Sequence, residues 1–568
     1  MKLIPRLVLT LAAMLASAAP ASAHRPPPQT AQPFAIAANP LAARAGLAVL
    51  KRGGSAVDAA VAMQAMLSLV EPQSSGLGGG AFMNFYNGRT HKLTIYDGRE
   101  TAPAQASEAM FLGPDGKALP FNEAVLSGRA TGVPGAVRML DLAHSEHGRL
   151  AWSTLFGDAR RTARNGFIIS PRLGRFIASD FAENHAPDVA AYFSGGTGKL
   201  LASGERLRNP AYAAFLARLA AHGPSALYAG STAAKIVART RAAPLGGSMT
   251  MADLAAYRPV KREALCRLYR AYRVCAPPPP SSGVGLLQLL ALLEPTDIAR
   301  RGPSDPQSWY LFAEASRLMY ADRDRYVGDV AGVPIAGLLD PAYVASRRAL
   351  IGPVAWATPP VAGTPPMALQ TAPDTTREPA GTSHFIVGDA AGNVVSITTT
   401  VESIFGSGRM VDGFFLNNQM TDFALAPRDA SGLLSVNAVA PGKRPRSSMV
   451  PTILLDARGN FAGAVGSAGG NSILAYVAKT IVGAVDWGLP MQQAIALPNL
   501  VARGPNWQGE VSKFPPEVLT GLAARGITLK PGQGEDSGIQ GGIIRNGKID
   551  GGFDPRREGV VLTLPAKR

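Results

Sequence analysis

Residues 379–385 read PAGTSHF, that is Pro379-Ala380-Gly381-Thr382-Ser383-His384-Phe385. They lie where a loose run gives way to a stiff one. Upstream, residues 352–381 are rich in Pro, Ala and Thr and carry little periodicity, the pattern of a flexible loop or linker. Downstream, HFIVGD, the turn AAGN and VVSITTTV have the β-branched content of a hairpin. A glycine before Thr382 tolerates a strained backbone, the upstream segment can withdraw, and the downstream strand can hold a new chain end still. The bond after Gly381 is therefore a candidate for scission, with Thr382 as the nucleophile. Its freed α-amine, with a pKa of about 7.7 to 8.0, suits it to take the proton of its own hydroxyl, so no distant histidine is required.

Other chemistries fare worse. No Gly-x-Ser-x-Gly elbow occurs in the chain. Gly76-Leu77-Gly78-Gly79-Gly80 lacks the Lys-Ser/Thr of a phosphate loop and runs into AFMNFYNGR, which reads as strand and turn. His144 and His147 are spaced to share a helix face but have no evident third metal ligand, so a solvated face is the expectation and no metal site is assigned. His384 shares the strand face of Thr382 and either tunes the site or is simply packed. Gly466 to Asn471 (GSAGGN) runs from strand to helix; it is a tight turn by default, although backbone amides at Gly469 and Gly470 can face an oxyanion. RSS at 446–448 and NNQMTDF at 417–423 read individually as a polar loop and a turn.

Composition sets the frame. The 568 residues are 46% hydrophobic, enough for a large core in one domain or several. Lys2 and Arg6, the apolar run Leu7 to Leu15 and Ala21-Ser22-Ala23 have the layout of a cleaved secretory leader over residues 1–23. No later run reaches membrane-spanning length, so a soluble mature protein in the periplasm or outside the cell is expected. The 56 basic against 40 acidic residues give +16, but the arginines are scattered rather than clustered, and with export this argues against a nucleic-acid partner. Cys266 and Cys275 flank a candidate two-residue turn at Arg270-Ala271, which would place them opposite each other in a non-hydrogen-bonded pair. An oxidising compartment permits a disulfide there, with two free buried thiols as the alternative.

GGSAVDAAVA, SSGLGGGAF, YDGRETAPA, PPPPSSGVGLLQLLALLE, YADRDRYVGD, GTSHF, NNQMTDF, KRPRSSMVPT and GSAGG, in this order, resemble blocks of the γ-glutamyltranspeptidase family of N-terminal nucleophile hydrolases. The resemblance covers nearly the whole mature chain. It implies an α+β fold, a four-layer αββα sandwich, with no cofactor. It also implies self-cleavage between Gly381 and Thr382 into a large segment, 24–381, and a small one, 382–568, that stay together as one globular domain.

Carried over by position, Thr382 is the nucleophile, Thr400 a threonine bonded near it, and Gly469 and Gly470 the oxyanion-hole amides. Arg99 would grip a substrate α-carboxylate, assisted by Ser447 and Ser448. Gln419 and Asp422 would receive the α-ammonium, and Glu402 stands where members carry Asn or Glu. The implied activity is γ-glutamyl transfer from glutathione and related compounds to water, an amino acid or a short peptide. An acylase acting on glutaryl β-lactams and an uncut, inactive secreted binding protein are the alternatives. The sequence departs from several bacterial members after Phe423, where the loop that covers their pocket contributes a tyrosine; ALAPRDASGLLSVNAVAPG has none.

Overall fold

The computed structural model describes residues 32–374, 376–532 and 537–565, so the expected leader lies outside the described residues. Thirteen strands form two antiparallel sheets. They are β1 (Phe34–Ala37), β2 (Gly80–Tyr86), β3 (Leu93–Gly98), β4 (Val260–Arg262), β5 (Leu265–Tyr269), β6 (Tyr272–Ala276), β7 (Gly381–Gly388), β8 (Val394–Glu402), β9 (Thr452–Leu455), β10 (Phe461–Gly466), β11 (Gln540–Arg545), β12 (Lys548–Phe553) and β13 (Val560–Thr563). The first sheet has seven strands in the order β13-β1-β7-β8-β2-β3-β4, and the second has six in the order β12-β11-β10-β9-β6-β5.

Alternation along the strands decides what meets what. In β1, Phe34 and Ile36 join Ile386, Val394, Ile453 and Ala464 in an apolar seam between the sheets. Ala35 and Ala37 face the other way, with Phe385, Val387 and Val395, into a core completed by helices α1 (Pro40–Lys51) and α2 (Ala56–Val70). Every residue of α2 is buried, and its start is fixed by a capping box in which Ser55 and Asp58 exchange hydrogen bonds. Helix α3 (Ala136–His147) packs into the same core. A short helix, α4 (Pro171–Ile177), begins at a serine cap. Helices α5 (Gly283–Leu293), α6 (Pro306–Tyr326) and α7 (Ile473–Ile481) pack with Val274, Leu454, Val465 and Ile543 of the second sheet.

The cysteine hairpin forms with the expected register. Tyr269 pairs with Tyr272 and Cys266 with Cys275, and the two cysteines are disulfide-bonded across a Cα separation of 4.1 Å. The pair His144 and His147 is neither solvated nor metal-binding in arrangement. His144 lies 3.3 Å from Asp58, and His147 stacks on Phe85 at 3.9 Å and meets the Tyr96 hydroxyl at 2.8 Å. The described residues of 352–380 form no helix or strand, yet the segment is tied down near its end, where Asp374 and Glu378 are buried.

Both sheets interleave the chain on either side of residue 381. In the first, β7 and β8 lie between β1 and β2; in the second, β9 pairs with β6. A chain opened between Gly381 and Thr382 is therefore expected to elute as one particle of the uncut size and to separate only in denaturant. Fragments that part in native buffer would contradict the shared-sheet arrangement.

Candidate active site

Thr382, His384 and Ile386 share the strand face that looks into the inter-sheet seam, since Ile386 belongs to that apolar layer. The hairpin register pairs Thr382 with Thr400, and a bulge follows between Thr400 and Glu402. That pair sets up a short chain of hydroxyls. Thr382 Oγ1 donates to Thr400 Oγ1 at 3.3 Å, and Thr400 Oγ1 donates to the Gly381 carbonyl at 2.7 Å. The Glu402 amide donates to Thr400 Oγ1 at 2.8 Å and fixes its orientation. Gly381 is required by space: a Cβ there would stand 2.1 Å from the Glu402 carbonyl oxygen. The Thr382 amide bonds back to the Ala380 carbonyl at 2.9 Å, so the candidate scissile bond sits in a tight turn.

His384 is packed rather than poised. Its Nδ1 meets Thr398 Oγ1 at 2.9 Å, Gly466 lies against its ring, and burial pushes its pKa down to about 3. It is neutral at any working pH.

The charged residues gather in a second group. Arg99 follows directly on β3 and is fully buried; its Nη2 donates to Asp422 Oδ2 (2.5 Å) and to the Arg446 carbonyl (2.6 Å), and its Nε to the Pro445 carbonyl (3.1 Å). Gln419–Asp422 form a single 3₁₀ turn, in which side chains three apart eclipse. Gln419 Nε2 accordingly donates to Asp422 Oδ2 at 2.6 Å and also to Glu402 Oε2 at 2.5 Å. The bulge and a left-handed φ of 85° turn Glu402 into this cluster.

Protonation follows from burial. Burial and the charge of Asp422 push Glu402 well above the usual carboxylate range. Asp422 is raised by burial against the pull of Arg99, and Glu100 rises to about 8 for the same reason. Burial draws Arg99 down, but Asp422, Glu100 and Glu402 more than restore it, so it stays a cation. No donor among the described residues reaches Glu402 Oε1, Asp422 Oδ1 or Gln419 Oε1. Burial therefore favours the protonated form of these carboxyls.

Ser447 and Ser448 lie nearby but are otherwise engaged. Ser447 Oγ accepts from the Met449 amide at 3.1 Å, while Ser448 Oγ accepts from Arg323 Nη2 at 2.7 Å. The Ser448 amide donates to Glu378 Oε2 at 3.0 Å. Glu378, in the segment before Gly381, also accepts from Arg323 Nη2 at 2.5 Å and lies 3.7 Å from Arg446. Its carbonyl and that of Pro379 stand directly before Gly470, where a Cβ would meet them at 2.1 and 2.4 Å. Gly469 and Gly470 thus face the uncut segment, with φ values of 127° and 53° that suit glycine.

A cleft of ≈ 440 Å³ reaches this point, lined by Gly469, Ala380 and Ser403 together with Phe176, Phe181 and Glu183. The tyrosine-free loop after Phe423 is stitched to the same segment: Ala372 N bonds to the Leu434 carbonyl at 3.1 Å and Asn437 Nδ2 to Asp374 at 2.7 Å. Glu378 and Arg323 were not singled out from sequence. Their one trace in the sequence is that Arg323 falls within the YADRDRYVGD block.

Arg323 and Arg446 overcome burial and hold the Glu378 carboxyl down at about 2. Its contribution to the uncut fold is present above the unfolded carboxylate range and is lost as pH falls below that range toward the depressed folded pKa. The uncut Thr382→Ala chain should therefore lose stability over that window in denaturant titrations. Adding Glu378→Gln should flatten this limb; an unchanged pH profile would dissociate Glu378 from it.

The gamma-glutamyltranspeptidase family model matches residues 42–564. The glutathione hydrolase proenzyme of Bacillus subtilis (strain 168) is 36% identical over 546 residues, 94% of this chain and 91% of that protein. The acylase ACY 1 proenzyme of Pseudomonas sp. (strain SE83) is 35% identical over 89% of this chain and 88% of its own length. Among solved structures, the cephalosporin acylase from Bacillus halodurans superposes with a TM-score of 0.82 at 26% identity, covering 97% of this chain and 99% of that one. With the family model spanning almost every described residue and a relative of this identity along nearly the full length, the chain belongs to the γ-glutamyltranspeptidase family.

Proposed function

We propose that this chain is an exported γ-glutamyl hydrolase and transferase that cuts itself between Gly381 and Thr382 and acts on glutathione and related γ-glutamyl compounds. Two inward-facing sheets with helices outside them fit the four-layer αββα order expected of such an enzyme. The observation that carries the substrate reading is one buried cation, Arg99, beside buried acceptor oxygens of Glu402, Asp422 and Gln419 that lack a donor. A γ-glutamyl group brings a carboxylate for the Arg99 cation and an ammonium, which has three donors and no acceptor, for those oxygens. A glutaryl group has no ammonium. This favours the γ-glutamyl reading over the acylase reading, despite the acylases among the relatives.

Self-cleavage follows from the hydroxyl chain. Thr382 Oγ attacks the Gly381 carbonyl carbon while its proton passes to Thr400 Oγ1 and the Thr400 proton passes on to the carbonyl oxygen, so the tetrahedral intermediate is neutral. Collapse returns that proton to the Thr382 nitrogen, which leaves as the free α-amine, and re-forms the carbonyl as an ester on Thr382 Oγ; water then hydrolyses the ester to the Thr382 hydroxyl and the Gly381 carboxylate. The segment carrying Glu378 must then leave Gly470 before a substrate enters. In turnover, the α-amine takes the Thr382 hydroxyl proton and Oγ attacks the γ-carbonyl. The Gly469 and Gly470 amides receive the oxyanion, and the amine departs with a proton. Water or an amine acceptor releases the glutamyl group by the reverse route.

Thr382→Ala, expressed with its leader, should give one full-length band and no turnover, against two unequal bands and activity for the parent. A variant that still splits and works would remove the mechanism, and an uncut, inactive parent would favour the binding-protein alternative. The parent should prefer γ-glutamyl over glutaryl anilide by at least about 100-fold in kcat/KM, because the glutaryl group leaves buried acceptors unpaired. A proton on Glu402 competes with the ammonium, so KM for the γ-glutamyl donor should fall as pH rises through the elevated Glu402 range. Glu402→Gln should abolish that dependence, and equal turnover of both anilides would sink the assignment.

A further inference from the structure

Scission removes two restraints on Thr382: the covalent bond to Gly381 and the turn in which its amide donates to Ala380. A new chain end must nevertheless hold its hydroxyl in place. On one side β8 pairs with it through Thr400. On the other side the neighbouring strand falls short, because β1 pairs with β7 only from Phe385 to Gly388 and ends at Ala37. Residues 382 to 384 have no β1 partner.

The gap is filled from a distant part of the chain. Arg557, in the turn three residues before β13, reaches past the end of β1, and its Nη1 donates to the Thr382 carbonyl at 3.0 Å. The guanidinium is itself held, with Nε on the Ser537 carbonyl at 3.0 Å, and the residue is buried. Space is fitted to it: a Cβ at Gly538 would stand 2.4 Å from the guanidinium carbon. The next residue is gripped by the same neighbourhood. Ser383 Oγ donates to Glu71 at 2.8 Å, Glu71 lies 3.6 Å from Arg172 of α4, and the Arg172 amide donates to Glu558 at 2.6 Å.

We propose that Arg557 is a positioning residue for catalysis, supplying to the nucleophile's carbonyl the donor that a neighbouring strand would otherwise provide, so that Thr382 keeps its geometry after it becomes a chain end. Arg557 touches no reacting atom. Its effect is on the placement of the hydroxyl and amine, and small misplacements of a reacting group are costly in rate. Binding of the glutamyl group at Arg99, Gln419 and Asp422 is left to other residues. The role rests on Thr382 being the nucleophile, as proposed above.

The test compares the parent, Thr382→Ala, Arg557→Lys and Arg557→Gln, reading scission on denaturing gels and kcat and KM on γ-glutamyl anilide. Arg557→Gln should lower kcat by about 10- to 100-fold with KM within about twofold. Arg557→Lys, which keeps a donor of similar reach, should recover kcat to within about fivefold. An active, cut parent with kcat unchanged in Arg557→Gln, or with the lysine variant no better than the glutamine one, would overturn the proposal and leave the proposed function standing. An inactive parent would count against the proposed function instead. If Arg557→Gln yields no folded protein, the crystal structure of the cut parent decides. Nη1 within hydrogen-bond reach of the Thr382 carbonyl supports the role, and a guanidinium turned away from it ends the proposal.

Discussion

The hydrogen bond from Thr400 Oγ1 to the Gly381 carbonyl is the constraint on which the arrangement depends. It exists because β7 and β8 pair in one register, Thr382 opposite Thr400, with the bulge placed immediately after. A slip of one residue would send Thr382 to the helix-packed face of the sheet and leave the hydroxyl chain unformed. The same bulge turns Glu402 toward Asp422 and Gln419, so one backbone irregularity serves both the Thr382–Thr400 hydroxyl pair and the charged cluster.

The charged cluster is electrostatically expensive. One buried arginine is surrounded by Asp422, Glu402 and Glu100, and the carboxyls respond by rising in pKa. The proposed zwitterionic substrate group would add one negative and one positive group to this cluster. The uncut segment addresses a neighbouring set of charges differently. Glu378 neutralises Arg323 and Arg446 and receives the Ser448 amide. Arg323 also meets Asp324, Ser282 Oγ and Ser448 Oγ, so Glu378 is not its sole partner.

Much of this was legible from sequence wherever the partners are close in the chain. The turn at Asp389 to Asn393 fixes the pairing of Thr382 with Thr400, and the turn at Arg270-Ala271 fixes that of Cys266 with Cys275, because a hairpin's register is set by its loop. The family blocks supplied Arg99, Gln419 and Asp422, which the structure brings into one cluster. The segment before Gly381 was read as loose from its composition. That composition does forbid helix and strand, but it did not reveal the burial of Asp374 and Glu378, which depends on arginines far away in the chain.

The sequence alone determined the hairpin, the glycine-threonine junction at its mouth, the cysteine hairpin's register and a turn at Gln419–Asp422. Each follows from local sterics over a few residues. Only the tertiary structure decided that Arg99 meets Asp422 across 323 positions, that Glu378 seats against Arg323 and Arg446, and that Arg557 completes the hydrogen bonding of Thr382 across 175. Those contacts have no local signature, because they arise where two sheets pack and a strand ends one turn too soon, and chain entropy gives sequence neighbours no part in choosing them.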